Sequence, residues 1–289
     1  MKGLIYIDEK YLINNKFDLI ENQTLLLNIC GKSVLEYYID FFYTLGVDEI
    51  FIVGEKLDKF ILKNDVILHN TITITSLRAD NLIDCYKRNN DLFQKEEMIM
   101  IENIGFIFDK HMDINTLKNN TKTSQENFSV YYINNHNKNI DFSSFDSKNF
   151  LDIKSLENIE DYISITNAIL NNLSNYDSIP GYTKDDNIVI GKNVVIDSDC
   201  KLNGPLIILD NVKICKGSLL GPNSIIGKDT FIHENSRIIN SVIYDNTYIG
   251  ENLDIKNKII SSGYLIDKLD IGVYKIDDMF LSKNNTWVF

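Results

Sequence analysis

The chain has 289 residues and a formal net charge of −12, from 29 basic and 41 acidic side chains. This length allows two domains with packed cores, and the acidic excess argues against a nucleic-acid-binding role. No apolar run reaches the roughly 18 residues of a membrane span, and the first residues hold neither a basic leader nor a cleavage site. We therefore expect a cytoplasmic protein without a membrane partner. The four cysteines lack paired spacing, so neither a disulfide framework nor a zinc site is predicted.

Strand and helix patterns alternate through residues 1–176. The predicted strands are Gly3–Ile7, Glu49–Val53, Thr71–Thr75 and Met98–Ile101, and the predicted helices begin at Ser33, near Ala79 and near Asn158. Ser33 and Glu36 have the spacing of a capping box, and Gly46 stands where a C-terminal cap belongs. Asn115–Asn139 is polar and is predicted to be irregular. The alternation favours an α/β layer with a largely parallel sheet.

Residues 187–271 carry an aliphatic side chain at every sixth position, with a single five-residue step. These positions are Ile190, Ile196, Leu202, Ile208, Ile214, Leu220, Ile226, Ile232, Ile238, Ile243, Ile249 and Ile255. The period fits neither a helix nor one strand, but it suits a solenoid whose triangular coils have three short strands. Gly191, Gly221, Gly227 and Gly250 follow inward positions, where we expect them to supply backbone freedom at corners. The pattern resembles the hexapeptide-repeat left-handed β-helix.

The chain is thereby divided into four segments. Residues 1–176 form the α/β domain, 177–186 a linker, 187–271 the left-handed parallel β-helix and 272–289 a C-terminal tail. The tail includes Phe280, Trp287 and Phe289, and we expect it to cap the last coil or to contact a partner.

Segments of the first domain are similar to those of sugar-nucleotide pyrophosphorylases. Residues 27–38 (LNICGKSVLEYY) and 45–53 (LGVDEIFIV) resemble the stretch after the first loop of those enzymes. Asp152, followed by Glu160, Asp161 and Tyr162, resembles the family's Asp-x-Gly-Thr-Pro-Glu-Asp-Tyr segment with an insertion. A hexapeptide β-helix after such a domain is common in mannose-1-phosphate guanylyltransferases and their relatives. The resemblance implies a shortened, Rossmann-like (GT-A-like) nucleotidyltransferase domain followed by a left-handed parallel β-helix.

The resemblance also implies where nucleotidyl transfer would take place. In the family a glycine-rich loop with a neighbouring Arg wraps the triphosphate, a downstream Lys adds positive charge, and two Asp residues hold magnesium. This chain has no glycine or arginine between Gly3 and Gly31, and Thr24 stands where the Lys is expected. The phosphate-binding residues of the family are therefore missing.

Four residues remain as candidates for the site. Lys32 is the candidate catalytic residue, and Asp152 matches the second metal position, although Lys154 replaces the glycine that should follow. Glu102 or Asp109 would have to substitute for the first metal aspartate. No cofactor is assigned, and Mg²⁺ is implied only if the nucleotidyltransferase site is active. The alternatives are a turn residue for Asp152 and a solvated position at a helix N-terminus for Lys32.

Three functions remain open at this point. The first is that of a catalytically degraded relative that regulates or scaffolds sugar-nucleotide or surface-polysaccharide biosynthesis. The second is that of an active pyrophosphorylase with a phosphate site built from Lys10, Lys16 and Lys32. The third is a hexapeptide-repeat acyltransferase with His233 as general base, for which a solvent-facing corner is the alternative. The expected partners are a nucleotide or sugar phosphate, and either a second copy of the chain or an active homologue bound through the β-helix.

Overall fold

The computed structural model of the chain describes residues 1–6, 27–53, 73–77, 82–93, 97–102, 106–108, 122–125, 128–133, 153–156, 158–173, 182–185, 187–261 and 263–276. The chain divides into two compact units. The first unit holds most of the described residues up to Leu156. The second holds Asn28–Lys32 and the described residues beyond Leu156.

The described chain up to Leu156 forms short strands and helices. In order these are β1 (Lys2–Tyr6), β2 (Asn28–Ile29), β3 (Lys32–Ser33), α1 (Val34–Thr44), β4 (Glu49–Val53), β5 (Thr73–Leu77), α2 (Leu82–Arg88), α3 (Asn90–Phe93), β6 (Met98–Glu102), β7 (Phe106–Phe108), β8 (Lys122–Gln125), β9 (Phe128–Ile133) and β10 (Ile153–Ser155). The helix predicted from about Ala79 to Asn89 corresponds to α2, and the second short helix, α3, follows it. The strand predicted at Thr71–Thr75 corresponds to β5, which is described from Thr73.

Six of these strands make one sheet in the order β5-β4-β1-β6-β9-β8. The first four pair in parallel, whereas β9 is antiparallel to β6 and β8 is antiparallel to β9. The β8–β9 hairpin lies in Asn115–Asn139, so the prediction of an irregular segment there is wrong. Strand β8 is polar and lies at the edge of the sheet, so its sequence has no apolar pattern from which a strand could be predicted. The assignment to a Rossmann-like nucleotidyltransferase domain goes beyond this topology and stays a prediction.

Helix α1 begins and ends where the sequence predicts. The Ser33 backbone N–H donates to Glu36 Oε2 (2.7 Å) and the Glu36 N–H donates to Ser33 Oγ (3.2 Å), which confirms the capping box. Gly46 follows the helix with φ of 76°, as a C-terminal cap requires. A Cβ on Gly3 would lie 2.9 Å from ring carbons of Phe42, so β1 approaches α1 too closely for a larger residue.

The second unit contains one helix and a run of very short strands. These are α4 (Ile159–Asn171), β11 (Tyr182–Asp185), β12 (Ile188–Ile190), β13 (Val195–Ile196), β14 (Lys201–Leu202), β15 (Leu206–Ile208), β16 (Lys213–Ile214), β17 (Leu219–Leu220), β18 (Ser224–Ile226), β19 (Phe231–Ile232), β20 (Arg237–Ile239), β21 (Val242–Ile243), β22 (Tyr248–Ile249), β23 (Asp254–Lys256), β24 (Lys258–Ser261), β25 (Tyr264–Asp267) and β26 (Val273–Lys275). Asn158 is the N-cap of α4, as predicted, because its Oδ1 accepts from the Asp161 N–H at 2.8 Å. No helix in the described ranges has the length and apolar run of a membrane span.

The strands from β12 to β24 build a parallel β-solenoid of about four coils. One side of the triangle contains β12-β15-β18-β21-β24, the second β13-β16-β19-β22 and the third β14-β17-β20-β23. Ile208 pairs with Ile226, and Ile226 pairs with Ile243, so the five-residue step in the sequence is a coil that is one residue shorter. The predicted solenoid is confirmed.

The six-residue register marks the interior column of the solenoid. From Ile208 to Ile255 each of the predicted positions is buried, and in the first coil Ile190, Ile196 and Leu202 are partly buried against the same core. The first coil is less buried because it has a neighbouring coil on one side only. The six-residue repeat in the sequence therefore corresponds to the packed interior of the solenoid.

Small polar residues share the interior with the aliphatic column. Ser218, Ser224, Thr230 and Ser236 are buried two positions before an aliphatic residue. Their hydroxyls do not remain unpaired: Ser218 Oγ donates to the His233 carbonyl at 3.0 Å and Ser236 Oγ to the Gly250 carbonyl at 2.6 Å. Each such bond links one coil to the next, and it removes the cost of burying a hydroxyl.

The corners depend on asparagine more than on glycine. Residues with positive φ at corners of the solenoid include Asn193, Asn211, Asn223, Asp229, Asn235, Asn240, Asn246, Asn252 and Asn257. Of the four predicted corner glycines, only Gly221 has positive φ (80°). The expected role is therefore wrong for Gly191, Gly227 and Gly250. Asn serves because its short side chain tolerates the left-handed region.

Two of these glycines are required for space instead. A Cβ on Gly191 would lie 2.7 Å from the Asp210 backbone nitrogen, and one on Gly227 would lie 2.5 Å from the Asp245 backbone nitrogen. In both cases the neighbouring coil crosses directly over the glycine. A Cβ on Gly250 would meet only a Leu253 methyl, at 3.6 Å.

Both ends of the eight-stranded sheet depart from the parallel pattern. Residues 182–185, predicted as part of the linker, form β11, which pairs antiparallel with β12. At the other end β24, β25 and β26 form an antiparallel meander. The beginning of the predicted tail thus belongs to the sheet as β26, and residues 277–289 lie outside the described residues.

Replacement of Gly227 by Ala tests the close approach of the coils. We expect Gly227→Ala to lower the stability of the solenoid by about 1–3 kcal/mol, because the new methyl overlaps backbone atoms that cannot rotate away. Gly250→Ala is the matched control and should be nearly neutral. Thermal unfolding of the two variants measures the difference, and equal melting temperatures would contradict the steric argument.

Candidate functional site

The carboxyl ends of four parallel strands form one edge of the sheet in the first unit. In register, Tyr6 of β1 lies between Val53 of β4 and Glu102 of β6, and Leu77 of β5 follows beyond Val53. Ligands of open α/β sheets bind outside this edge. The edge is therefore where a nucleotide site of the predicted kind would lie.

The predicted metal ligands fall at or beyond the limits of the described residues. Glu102 is the last residue of β6, so its backbone lies at the carboxyl edge. The side chain of Glu102 and the whole of Asp109 and Asp152 lie outside the residues that the structure describes. Carboxylates are the oxygen ligands that Mg²⁺ prefers, so the donor types suit this ion. Among the described residues, no group of three or more His, Cys, Asp or Glu side chains could hold a metal.

Lys32, the candidate catalytic residue for nucleotidyl transfer, lies within the described part of the chain. It lies in β3, one residue before the N-cap of α1, and is 9% exposed. The alternative of a solvated position is therefore wrong, because the side chain is buried. Lys10 and Lys16, the other lysines of the suggested phosphate site, lie outside the described residues.

His233 does not have the arrangement of a general base. Its Nδ1 accepts the backbone N–H of Glu234 at 2.8 Å, and its ring lies 5.8 Å from the Phe231 ring and 6.3 Å from the Tyr248 ring. A neutral imidazole whose Nδ1 accepts carries its proton on Nε2. The one basic lone pair is therefore occupied by a backbone donor. The residue is half-buried in an aromatic cluster and not a freely solvated corner.

One outer side of the solenoid is apolar and buried. The outward side chains of its eight-stranded sheet are Val189, Ile207, Ile225, Val242, Ile259 and Ile266, all at most 7% exposed. The equivalent row on the second side contains Lys213 and 53%-exposed Val195. Six exposed aliphatic side chains would be costly, at about 1.5–3 kcal/mol each. This side of the coils must therefore be covered.

Within the second unit, α4 and the Asn28–Lys32 hairpin contact this side. Tyr244, which follows β21, places its hydroxyl oxygen 2.9 Å from the Asn28 carbonyl oxygen and 3.1 Å from the Tyr162 hydroxyl oxygen of α4. Tyr162 Oη lies 3.3 Å from the same carbonyl. The two phenols and one carbonyl thus tie three segments together, and burial raises the pKa of Tyr162.

Sequence reasoning missed Tyr244, although a signal was present. Tyr244 follows an inward isoleucine at the corner position that Gly191 and Gly227 occupy in other coils. A large aromatic residue at such a corner indicates a contact outside the coil. The hairpin that meets it turns at Cys30 and Gly31, whose φ angles of 53° and 92° are typical of a two-residue turn between antiparallel strands.

A second polar cluster joins α4 to a corner of the solenoid. Lys268 Nζ lies 3.0 Å from Asn240 Oδ1 and 3.5 Å from Oδ1 of Asn167, which belongs to α4. Asn240 Nδ2 in turn donates to Asn257 Oδ1 at 2.6 Å. Burial lowers the pKa of Lys268 from 10.5 to about 8. The groups that the ammonium contacts among the described residues are thus neutral amides.

The acidic residues beside Lys268 have other partners. Asp267 Oδ2 pairs with Lys258 Nζ, and Asp270 Oδ1 accepts the Gly272 N–H at 2.8 Å. In the described part of the chain, no carboxylate forms an ion pair with Lys268. Its charge is consequently stabilised less than that of an exposed or paired lysine.

Comparison with known proteins is informative for one part of the chain. Residues 202–271 match the family described as "GMPPB C-terminal domain", the hexapeptide-like region of the mannose-1-phosphate guanylyltransferase family. The solenoid is similar to that domain. The match runs from β14 through the turn after β25 and includes Tyr244 and Lys268. No curated protein matches the chain. The similarity is to relatives of sugar-nucleotide pyrophosphorylases, and it covers less than a third of the residues.

Removal of the Tyr244 hydroxyl tests the three-segment contact. We expect Tyr244→Phe to cost about 1 kcal/mol, because the Asn28 carbonyl loses its nearer donor. Tyr162→Phe should cost less, since the Tyr244 hydroxyl still reaches that carbonyl. Thermal unfolding and hydrogen exchange of residues 28–32 measure the effect. The reverse order of the two variants would show that the Tyr162 hydroxyl is the principal donor.

The low pKa of Lys268 predicts a pH dependence of stability. Between pH 8 and 10.5 the unfolded chain keeps the proton that folded Lys268 has released, so stability should rise with pH through this window. Buried Cys30, whose pKa is raised, acts in the opposite direction. The difference between wild type and Lys268→Met therefore isolates the effect. The melting temperature of the wild type should rise relative to that of Lys268→Met as the pH increases across this window, and parallel curves would contradict the prediction.

Proposed function

We propose that this chain is a relative of sugar-nucleotide pyrophosphorylases that has lost nucleotidyl transfer and acts as a regulatory or scaffolding subunit. Its pathway would be sugar-nucleotide or surface-polysaccharide biosynthesis. The observation that carries the proposal is the match of residues 202–271 to the GMPPB C-terminal domain, on a solenoid whose coils are complete.

The loss of catalysis is argued from the sequence of the first unit. A nucleotidyl transfer between anions needs fixed positive charge and backbone donors around the triphosphate. The stretch between Gly3 and Gly31 supplies neither glycine nor arginine for this purpose. Lys32, the candidate that remains nearby, is buried in β3. Its ammonium is therefore poorly suited to meet an incoming triphosphate.

A chain that has lost nucleotidyl transfer can still assemble with a partner through its solenoid. The side formed by β13-β16-β19-β22 bears outward Lys213, Phe231 and Tyr248, with the Lys213 Nζ 5.5 Å from the centre of the Phe231 ring. The rings of Phe231 and Tyr248 stack at 5.4 Å. Aromatic residues are enriched in protein interfaces, and the Phe231–Tyr248 pair is therefore the part of this side that supports assembly. The proposed partner is a second copy of the chain or an active homologue.

An active pyrophosphorylase is the second candidate. Glu102 favours it, because this residue ends β6 at the edge where the resemblance expects a metal ligand. In that case Asp152 and either Glu102 or Asp109 would hold Mg²⁺, and a nucleotide and a sugar phosphate would be the substrates. The acyltransferase hypothesis has no comparable support, because Nδ1 of His233 already accepts a backbone hydrogen bond.

A pyrophosphate-release assay separates these candidates. The purified full-length chain is incubated with Mg²⁺, each of the common nucleoside triphosphates and a panel of sugar 1-phosphates. We expect turnover at least a thousandfold below the roughly 1–1,000 s⁻¹ that is typical of enzymes. A known active pyrophosphorylase in the same mixtures is the positive control.

Turnover at ordinary rates would overturn the proposal and favour the second candidate. Asp152→Asn should then abolish it, because the substitution removes a metal-binding charge with little change of shape. A matched Asp199→Asn variant, in the solenoid and away from the candidate residues, should leave that activity unchanged.

A further inference from the structure

Lys268 combines a part-buried amine with access from solvent. It is part-buried within a turn whose next two residues, Leu269 and Asp270, are exposed, Leu269 by 76%. Its Nζ faces the amide oxygens of Asn240 and Asn167. A small reagent can therefore approach the turn, while the amine itself lies among neutral groups.

This environment favours the uncharged, nucleophilic amine. Removal from water destabilises the ammonium, and an opposite charge would be needed to restore it. The neighbouring acids Asp267 and Asp270 accept from other donors instead. Lysines activated by desolvation in this way are nucleophiles near neutral pH. Exposed lysines of the same chain, such as Lys201, lack such an enclosure.

We propose that Lys268 is a site of acylation by an acyl thioester, and that its acylation weakens the attachment of α4 to the corner of the solenoid. This inference is independent of whether the first unit catalyses nucleotidyl transfer. It assigns a chemical role to the cluster of Lys268, Asn240 and Asn167.

The chemical step needs no further reactant. The Nζ lone pair attacks the thioester carbonyl carbon, a C–N bond forms and the C–S bond breaks. The thiolate leaves and takes up the proton that the nitrogen loses, so the products are an amide and a thiol. No group is oxidised or reduced.

Acylation changes the cluster in two ways. The amide nitrogen keeps one hydrogen and no charge, so it cannot donate to both Asn240 and Asn167, which the ammonium approaches at 3.0 and 3.5 Å. The added acyl group must also fit beside Asn257, which Asn240 contacts. Since Asn167 belongs to α4, the helix loses a polar contact with the solenoid.

Acetyl-coenzyme A is the probe for the first part of the proposal. The full-length chain is exposed to it at about pH 7.5, and the rate of acetylation at each lysine is followed by peptide mass spectrometry. We expect Lys268 to react about tenfold faster than the exposed Lys201, because burial among neutral amides favours the uncharged form of the Lys268 amine. An equal or slower rate at Lys268 would overturn the proposal.

Two isosteric variants test the cause. Asn240→Asp and Asn167→Asp each place a carboxylate where the ammonium now meets an amide, which stabilises the charged form. We expect acetylation of Lys268 to fall toward the rate of Lys201 in both, while the rate at Lys201 is unchanged. An unaltered preference for Lys268 in both variants would show that the amide cluster does not activate the amine.

Hydrogen exchange tests the consequence for α4. Amides of Ile159–Asn171 should exchange several-fold faster after acetylation than before it. Lys268→Arg, treated in the same way, is the control, because it keeps a cation in the cluster and cannot be acylated at this position. Unchanged exchange after acetylation of the wild-type chain would refute the link to α4.

Discussion

The solenoid depends on the hydrogen bonds between successive coils. The Val195 N–H donates to the Val212 carbonyl, the Lys213 N–H to the Thr230 carbonyl and the Phe231 N–H to the carbonyl of Thr247, at 2.9–3.0 Å. Such bonds set each coil directly above the next, so residues at equal positions must stack in columns. A side chain at a given position is therefore constrained by its neighbours in two coils and not only by its own coil.

This stacking explains which residue types occupy the interior and the corner positions of a coil. The interior column is aliphatic because no water reaches it, and buried Ser218 or Ser236 is tolerated because its hydroxyl meets a carbonyl of the following coil. At the corners Asn supplies the left-handed backbone. Gly191 and Gly227 instead make room for the next coil. The same spacing leaves Tyr244 projecting at a corner, where it contacts α4.

The roles proposed for the two units differ. In the second unit the described residues form a stacked solenoid, with a family match on residues 202–271 and a helix held by Tyr162 and Asn167. The first unit has a mixed sheet in which four neighbouring strands are parallel. Its sequence lacks the glycines and the arginine that the resemblance to pyrophosphorylases leads us to expect around a triphosphate. For this reason we propose association and regulation, and not turnover, as the role of the chain. The acylation proposed for Lys268 acts on the cluster that links α4 to the coils.

The amino-acid sequence by itself determined the solenoid, the column from Ile190 to Ile255 and the capping box of Ser33, because these features depend on residues at fixed short spacing. It also predicted the alternation of strands and helices, but not the polar β8–β9 hairpin, whose edge strand needs no apolar pattern. The candidate residues Glu102, Asp109 and Asp152 stay predictions. Only the tertiary structure decided the burial of Lys32, the roles of Gly227 and His233, and the meeting of Asn28, Tyr162 and Tyr244. Those features arise where distant segments meet, and no local pattern encodes which segments will do so.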